Sequence, residues 1–157
     1  MYAVITGASS GIGEQFAERL AKEGYDLILV ARRRERLTTL SDKLKAAHKG
    51  LECDIFTADL MQLDECQRLS DYLEEKDIEI FINNAGYGDC GLFEETDIAK
   101  EMGMIDVNVR AVHFLTKKLL RQMRVKDRGF ILNVASSAGL IPAGPYMATY
   151  LSLIHIS

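Results

Sequence analysis

Three glycines fall within eight residues, Thr6-Gly7-Ala8-Ser9-Ser10-Gly11-Ile12-Gly13, between an apolar run at Tyr2–Ile5 and a stretch whose apolar residues, Phe16, Ala17, Leu20 and Ala21, have helical spacing. Glycines at a strand-to-helix turn permit positive φ, remove the β-carbons that would block a phosphate, and let the helix start close to the strand. The helix that follows aims unpaired N–H groups and the positive end of its dipole at whatever occupies the turn. A dinucleotide pyrophosphate suits that chemistry. The spacing Gly-x-x-x-Gly-x-Gly is neither the common G-x-G-x-x-G fingerprint nor a Walker A loop, since no Lys-Ser/Thr follows Gly13. A ligand-free turn is the plain alternative, and three glycines alone do not decide against it.

Arg32 and Arg33 end the second apolar run, Asp26–Ala31, and Arg32 stands 19 residues past Gly13. Near this place a carboxylate would bind the adenosine ribose hydroxyls of NAD. Arginine instead removes a repulsive charge and supplies a guanidinium for a 2′-phosphate through charge-assisted hydrogen bonds. One additional pair of about 1.4 kcal/mol shifts preference roughly tenfold. NADP(H) is therefore expected over NAD(H), while Arg34 and Arg36 read as a solvated helix start.

The elements that must position these residues alternate. Strands are predicted at Tyr2–Ile5, Asp26–Ala31, Leu51–Thr57, Ile78–Ile82 and Gly129–Ala135, with helices over Glu14–Lys22, Leu37–Ala47, Leu63–Glu75 and one long pattern from about Ile98 to Arg124 capped by Thr96 or Asp97. Continuous apolar strands separated by helices predict a doubly wound α/β fold. Its parallel sheet has order 3-2-1-4-5, and its crevice lies at the strand C-termini between the first and fourth strands. Polar or small residues follow those C-termini: Asp59 and Leu60 after the third strand, Asn84, Ala85 and Gly86 after the fourth, Ser136-Ser137-Ala138-Gly139 after the fifth. Each group taken singly is also an ordinary turn or cap.

The chain has 157 residues, one domain's length, and a net charge of −4 with both signs interspersed, so nucleic acid and anionic membranes are not expected partners. The apolar runs are strand-sized, and the N-terminus carries neither a basic region nor a long apolar stretch, which points to a soluble cytoplasmic protein. Cys53, Cys66 and Cys90, an odd number without C-x-x-C, argue against a disulfide scaffold or zinc site, and no metal is expected. Cys53 reads as a buried filler and Cys90 as an exposed loop residue.

Taken together, Thr6–Gly13, Asp59-Leu60, Asn83-Asn84-Ala85-Gly86, the Asn108-Val109 tract and Ser136-x-Ala138-Gly139 followed by Tyr150 resemble, in the same order, the motifs of the short-chain dehydrogenase/reductase family. The resemblance covers residues 1–150. It implies hydride transfer between NADP(H) and a small carbonyl or alcohol substrate, with Ser136 holding the substrate oxygen, Tyr150 exchanging the proton and Asn108 holding a relay water in a bent helix. It places the cofactor on Gly7, Ser9, Ser10, Gly11, Ile12, Gly13, Arg32, Arg33, Asp59, Leu60, Asn84, Ala85, Gly86 and Tyr150. Asp59 and Leu60 would lie over the adenine. Residues 87–93 and 140–147 would border the substrate, and the parent protein would be a homo-oligomer associating partly through the helix over Ile98–Arg124.

One position departs from that pattern. A phenol in water titrates near 10, so a tyrosine working near neutrality needs about 4 kcal/mol of phenolate stabilisation. The family supplies much of it with a lysine four residues after the tyrosine, where this chain has Ile154. The run Leu151-Ser152-Leu153-Ile154-His155-Ile156-Ser157 ignores the family pattern and resembles the translation of a common transposase sequencing adapter. Residues 151–157 are therefore expected to be read-through on a C-terminally truncated domain, with the fifth strand left as an exposed apolar edge. A genuine short C-terminus is the alternative. The chain as it stands is expected to be an inactive fragment of an oxidoreductase, and a non-catalytic NADP(H)-binding regulatory module is the rival reading.

Overall fold

Apolar runs with no polar interruption become strands covered on both faces, and the first two do so almost completely. In the computed structural model, which describes residues 1–140 and 146–154, β1 (Tyr2–Thr6) and β2 (Asp26–Ala31) are buried at every position after their first residue. They pair in parallel with β3 (Cys53–Thr57), β4 (Ile78–Asn83) and β5 (Phe130–Asn133) in one sheet of order β3-β2-β1-β4-β5. This is the order expected from the sequence. The reversal between β1 and β4 opens a crevice at their C-terminal ends.

Alternate side chains along each strand face opposite layers. Ala3, Ile5, Leu27 and Leu29 pack with α1 (Ile12–Lys22) and α2 (Arg34–Ala47) through Ala17, Leu20, Leu37, Leu40 and Leu44. Val4, Ile28, Val30 and Phe81 pack with α3 (Leu63–Glu74) and α5 (Val112–Lys126) through Leu69, Leu73, Leu115 and Leu119. Cys53 and Cys66 are filler in these layers, and burial pushes the Cys66 thiol up to about 11, so it is inert at neutral pH. Cys90 is exposed.

The long helical pattern from Ile98 is not continuous. It divides into α4 (Ile98–Ile105), a π-helical stretch at Asp106–Ala111, and α5. Asp97 caps it, Oδ1 accepting from the Ala99 N–H at 2.9 Å. The π stretch spans Asn108, where the family resemblance implied a bent helix. Such insertions widen one turn and concentrate at functional sites.

After β5 the chain makes a 3₁₀ turn, Ser137–Leu140, and a last helix, α6 (Ala148–Ile154). The first four residues of the atypical tail thus continue this helix, and Leu153 is buried. β3 and β5 are the sheet's two edges among the described residues, and on β5 Phe130 is 67% and Leu132 44% exposed.

Candidate cofactor and catalytic site

The crevice is built by Thr6. Its buried hydroxyl donates to the Ile82 carbonyl at 3.1 Å and accepts from the N–H groups of Asn84 and Ala85, both at 3.0 Å. Asn84 reciprocates, Nδ2 donating to the Thr6 and Gly7 carbonyls at 3.0 and 3.3 Å. The glycine turn and the Asn84-Ala85-Gly86 segment are thereby locked together. No side chain fits between them: a β-carbon on Gly7 would lie 2.8 Å from the Ala85 Cα, and one on Gly13 would meet the Gly7 carbonyl and lie 2.6 Å from Asn84 Nδ2. Gly11 faces open space instead, but its φ of 60° and ψ of −131° form a backbone state that essentially only glycine adopts.

These segments line a cleft of about 440 Å³ that brings together Gly7, Ser9, Ser10, Ile12, Arg32, Arg33, Asp59, Leu60, Asn84, Ala85 and Gly86. Gly11 and Gly13 shape its rim without lining it. Arg33, rather than the more suggestively spaced Arg32, is engaged with the turn: its Nη2 donates to the hydroxyls of Ser9 and Ser10, both at 2.9 Å. Arg32 points towards Met61, its Nη1 4.0 Å from Sδ. Both guanidiniums are exposed at the mouth of the cleft. Asp59 Oδ1 accepts from the Met61 N–H at 3.2 Å, making the tight turn that sets Leu60 and Met61 on the cleft wall.

Six wall residues lie outside the cofactor set expected from the sequence, Val30, Ala31, Ala58, Met61, Tyr87 and Val107, of which Tyr87 was expected on the substrate side. Tyr87 followed directly from its place after Gly86, but Met61 and Val107 carry no distinguishing signal. The Tyr87 hydroxyl donates to the Lys100 carbonyl at 2.6 Å, and burial raises its pKa above that of a free phenol.

Asn108 sits inside the π-helical stretch with its amide turned to the loop after β4. Oδ1 accepts from the Tyr87 N–H at 3.2 Å and Nδ2 donates to the Tyr87 carbonyl at 2.9 Å, as a strand partner would. Gly86 lies against it, since a β-carbon there would come 2.8 Å from Oδ1. Two residues on, Gly88 supports Tyr150: a β-carbon on Gly88 would lie 3.2 Å from two carbons of its ring. One short loop therefore runs from Asn108 to Tyr150. Tyr150 itself lines a second cavity, of about 10 Å³, with Asp89, Phe93, Thr96 and Glu101.

Ser136, half-buried, accepts from the Ala138 N–H at 3.2 Å, which starts the turn against which α6 packs. Ile154, at the place of the family lysine, lies on that turn, its Cγ2 2.7 Å from where a β-carbon on Gly139 would be. Residues 141–145, within the segment expected to border the substrate, and residues 155–157 of the tail lie outside the described residues. Among the described residues no group of carboxylates, histidines and cysteines could hold a metal ion, and no helix is long and apolar enough to cross a membrane.

The chain and its fold have counterparts in known proteins. Residues 1–152 match the family model for short chain dehydrogenase. The chain is 34% identical over 153 residues to the very-long-chain 3-oxoacyl-CoA reductase of Neurospora crassa, covering 95% of this chain and 46% of that protein. It is 32% identical over 155 residues to very-long-chain 3-oxoacyl-CoA reductase-A of Danio rerio, covering 48% of it. The chain thus spans less than half the length of these relatives. A short-chain dehydrogenase from Sphingobium yanoikuyae in complex with NADPH superimposes with a TM-score of 0.92 at 33% identity, covering 98% of this chain and 60% of that one. The bulky-bulky ketone specific alcohol dehydrogenase from Comamonas testosteroni gives the same TM-score at 32% identity, covering 98% and 61%. On this match of family model, sequence and fold, the chain belongs to the short chain dehydrogenase family.

Proposed function

We propose that this chain is the NADP(H)-binding and proton-transferring part of a reductase for 3-oxoacyl thioesters. The observation that carries the cofactor preference is the Arg33 guanidinium held 2.9 Å from two hydroxyls of the glycine turn, with a second guanidinium, Arg32, on the same mouth. Ser9, Ser10 and Arg33 converge where a phosphate ester on the adenosine ribose would need donors, with Arg32 across the mouth, and charge-assisted bonds of this kind are about twice as strong as neutral ones. The residues present therefore fit NADP(H). The glycine turn and Asn84-Ala85-Gly86 would take its pyrophosphate and nicotinamide halves against bare backbone, and Asp59 and Leu60 would flank the adenine.

The bound cofactor supplies or accepts the hydride. The chain's own residues handle the substrate oxygen. Ser136 would hold it by a hydrogen bond, Tyr150 would deliver or remove the proton at that oxygen, and Asn108 would keep the Tyr87–Gly88 loop under the Tyr150 ring while its widened helical turn accommodates a relay water. The 3-oxoacyl class rests on the names of the relatives at 34% and 32% identity.

With Ile154 in the lysine position, no cation four residues on stabilises the Tyr150 phenolate, so this chain binds cofactor and turns over little or nothing. A non-catalytic NADP(H)-binding module is the second reading, favoured by that one substitution. Titration with NADPH and NADH followed by cofactor fluorescence tests the binding claim. NADPH is expected to bind at least about tenfold tighter, with the difference erased in Arg33→Ala; equal affinity for the two would refute it. NADPH oxidation with a 3-oxoacyl thioester by the 157-residue chain, abolished by Tyr150→Phe, would refute the loss of catalysis.

A further inference from the structure

The two guanidiniums do not point at one spot. Arg33 is drawn to Ser9 and Ser10 on the glycine turn, whereas Arg32 lies towards Met61 on the opposite wall. Between them lies the end of β2, Ala31, with no acidic side chain. Asp59, the acidic residue of the cleft lining, spends one oxygen on the Met61 N–H. The mouth therefore offers positive charge to both sides of whatever ribose it holds.

A 2′-phosphate and a 3′-phosphate sit on adjacent oxygens of that ring. Their dianions differ in direction rather than in charge or in number of acceptor oxygens. One guanidinium held on the turn by Ser9 and Ser10 and a second, long and exposed, on the opposite wall with only a 4.0 Å contact to the Met61 sulfur reach both oxygens rather than select one. Discrimination against the wrong ester requires a clash, an unpaired charge or a rigid fork, and the cleft presents none of these at its arginine end.

From this we infer that the adenosine end of the cleft also binds a 3′-phosphoadenosine diphosphate group, the end group of free coenzyme A, in competition with NADP(H). The inference rests on the NADP(H) reading above. Its consequence is competition at the cofactor's adenosine subsite by the carrier, which bears this end group whether free or acylated. Arg32 takes the larger share of the 3′-ester and Arg33 of the 2′-ester, because Arg33 is the one tethered to the phosphate-binding turn.

Competition binding on the full 157-residue chain, with NADPH fluorescence as the readout, tests this with four probes: 2′,5′-ADP, 3′,5′-ADP, coenzyme A and 5′-AMP. The expected result is that 2′,5′-ADP and 3′,5′-ADP displace NADPH within about tenfold of each other, both at least about tenfold better than 5′-AMP, with coenzyme A matching 3′,5′-ADP. Arg32→Ala is expected to weaken 3′,5′-ADP several-fold more than 2′,5′-ADP, and Arg33→Ala the reverse. If 2′,5′-ADP outbinds 5′-AMP but 3′,5′-ADP does not, or if coenzyme A fails to displace NADPH, the inference is overturned and the NADP(H) reading survives. If 2′,5′-ADP is itself no better than 5′-AMP, the NADP(H) reading falls and this inference with it.

Discussion

Replacing Thr6 by valine tests the architecture of the crevice at its most connected point. Valine keeps the shape and removes one oxygen, and that oxygen serves two N–H donors and one carbonyl at 3.0 to 3.1 Å across 76 to 79 residues of sequence. The site is 2% exposed, so water does not readily replace the lost partner. A buried donor left without an acceptor costs about 1–3 kcal/mol, and two are left here, so a loss of about 3 kcal/mol is expected. With a urea slope of about 2 kcal/mol per molar for a domain of this size, the unfolding midpoint falls by about 1.5 M at unchanged slope. Thr6→Ser is the control: it keeps the hydroxyl, loses one methyl and costs about 1 kcal/mol. Urea denaturation followed by circular dichroism reads both. If Thr6→Val loses no more stability than Thr6→Ser, the hydroxyl does not join the β1 and β4 ends in the way described.

Two further outcomes follow from the surface of the sheet. Burial pushes the Asp54 carboxyl up, but hydrogen bonds from Lys76 (2.8 Å) and Tyr72 (2.6 Å) outweigh it and hold it below the usual carboxylate range; Lys126 and Arg128 do the same for Asp77. A depressed folded-state pKa gives stability that is fully present above the unfolded value, about 3.9, and is lost as pH falls through the folded one. The urea midpoint is thus expected to be level from pH 7 to about 5 and to fall below about pH 4. Asp54→Asn should give a shallower acid limb, and an unchanged limb would count against the Asp54 contacts. At the other end of the sheet, the exposed Phe130 and Leu132 on an open strand predict concentration-dependent self-association. Phe130→Thr with Leu132→Lys should reduce it in sedimentation velocity, and no change would place the association elsewhere.

The sheet order, the crevice and most of the lining were legible because they depend on short-range patterns. Apolar runs of strand length, helical spacing and residues placed directly after strands are all local. What stayed hidden depends on partners far apart in sequence. Thr6 was visible as part of a turn, but its role lies in contacts with Ile82, Asn84 and Ala85. Likewise Gln122 reads as one more polar residue on a helix, yet its Nε2 donates to the Leu73, Glu74 and Lys76 carbonyls and closes the C-terminal end of α3. The two arginines illustrate the limit most directly. Counting from Gly13 singled out Arg32, because spacing measures distance along the chain. Side-chain direction instead gives the turn to Arg33, whose neighbours Ser9 and Ser10 lie 24 and 23 residues away.

Asn108 and Ile154 mark the boundary between what this fold retains and what the chemistry asks of it. The family resemblance implied a bend at Asn108, and the helix there is a π-helical stretch that turns the Asn108 amide onto the Tyr87 main chain. The resulting support reaches Tyr150 through Gly88, so this ring is positioned by the loop after β4. On its other side α6 carries Ile154 against Gly139, an apolar contact that stabilises the helix and offers a phenolate nothing. Positioning and activation of a tyrosine are therefore separable here. The first is a matter of packing by the loop after β4, whereas the second, on the function proposed above, would need a cation that Ile154 does not supply.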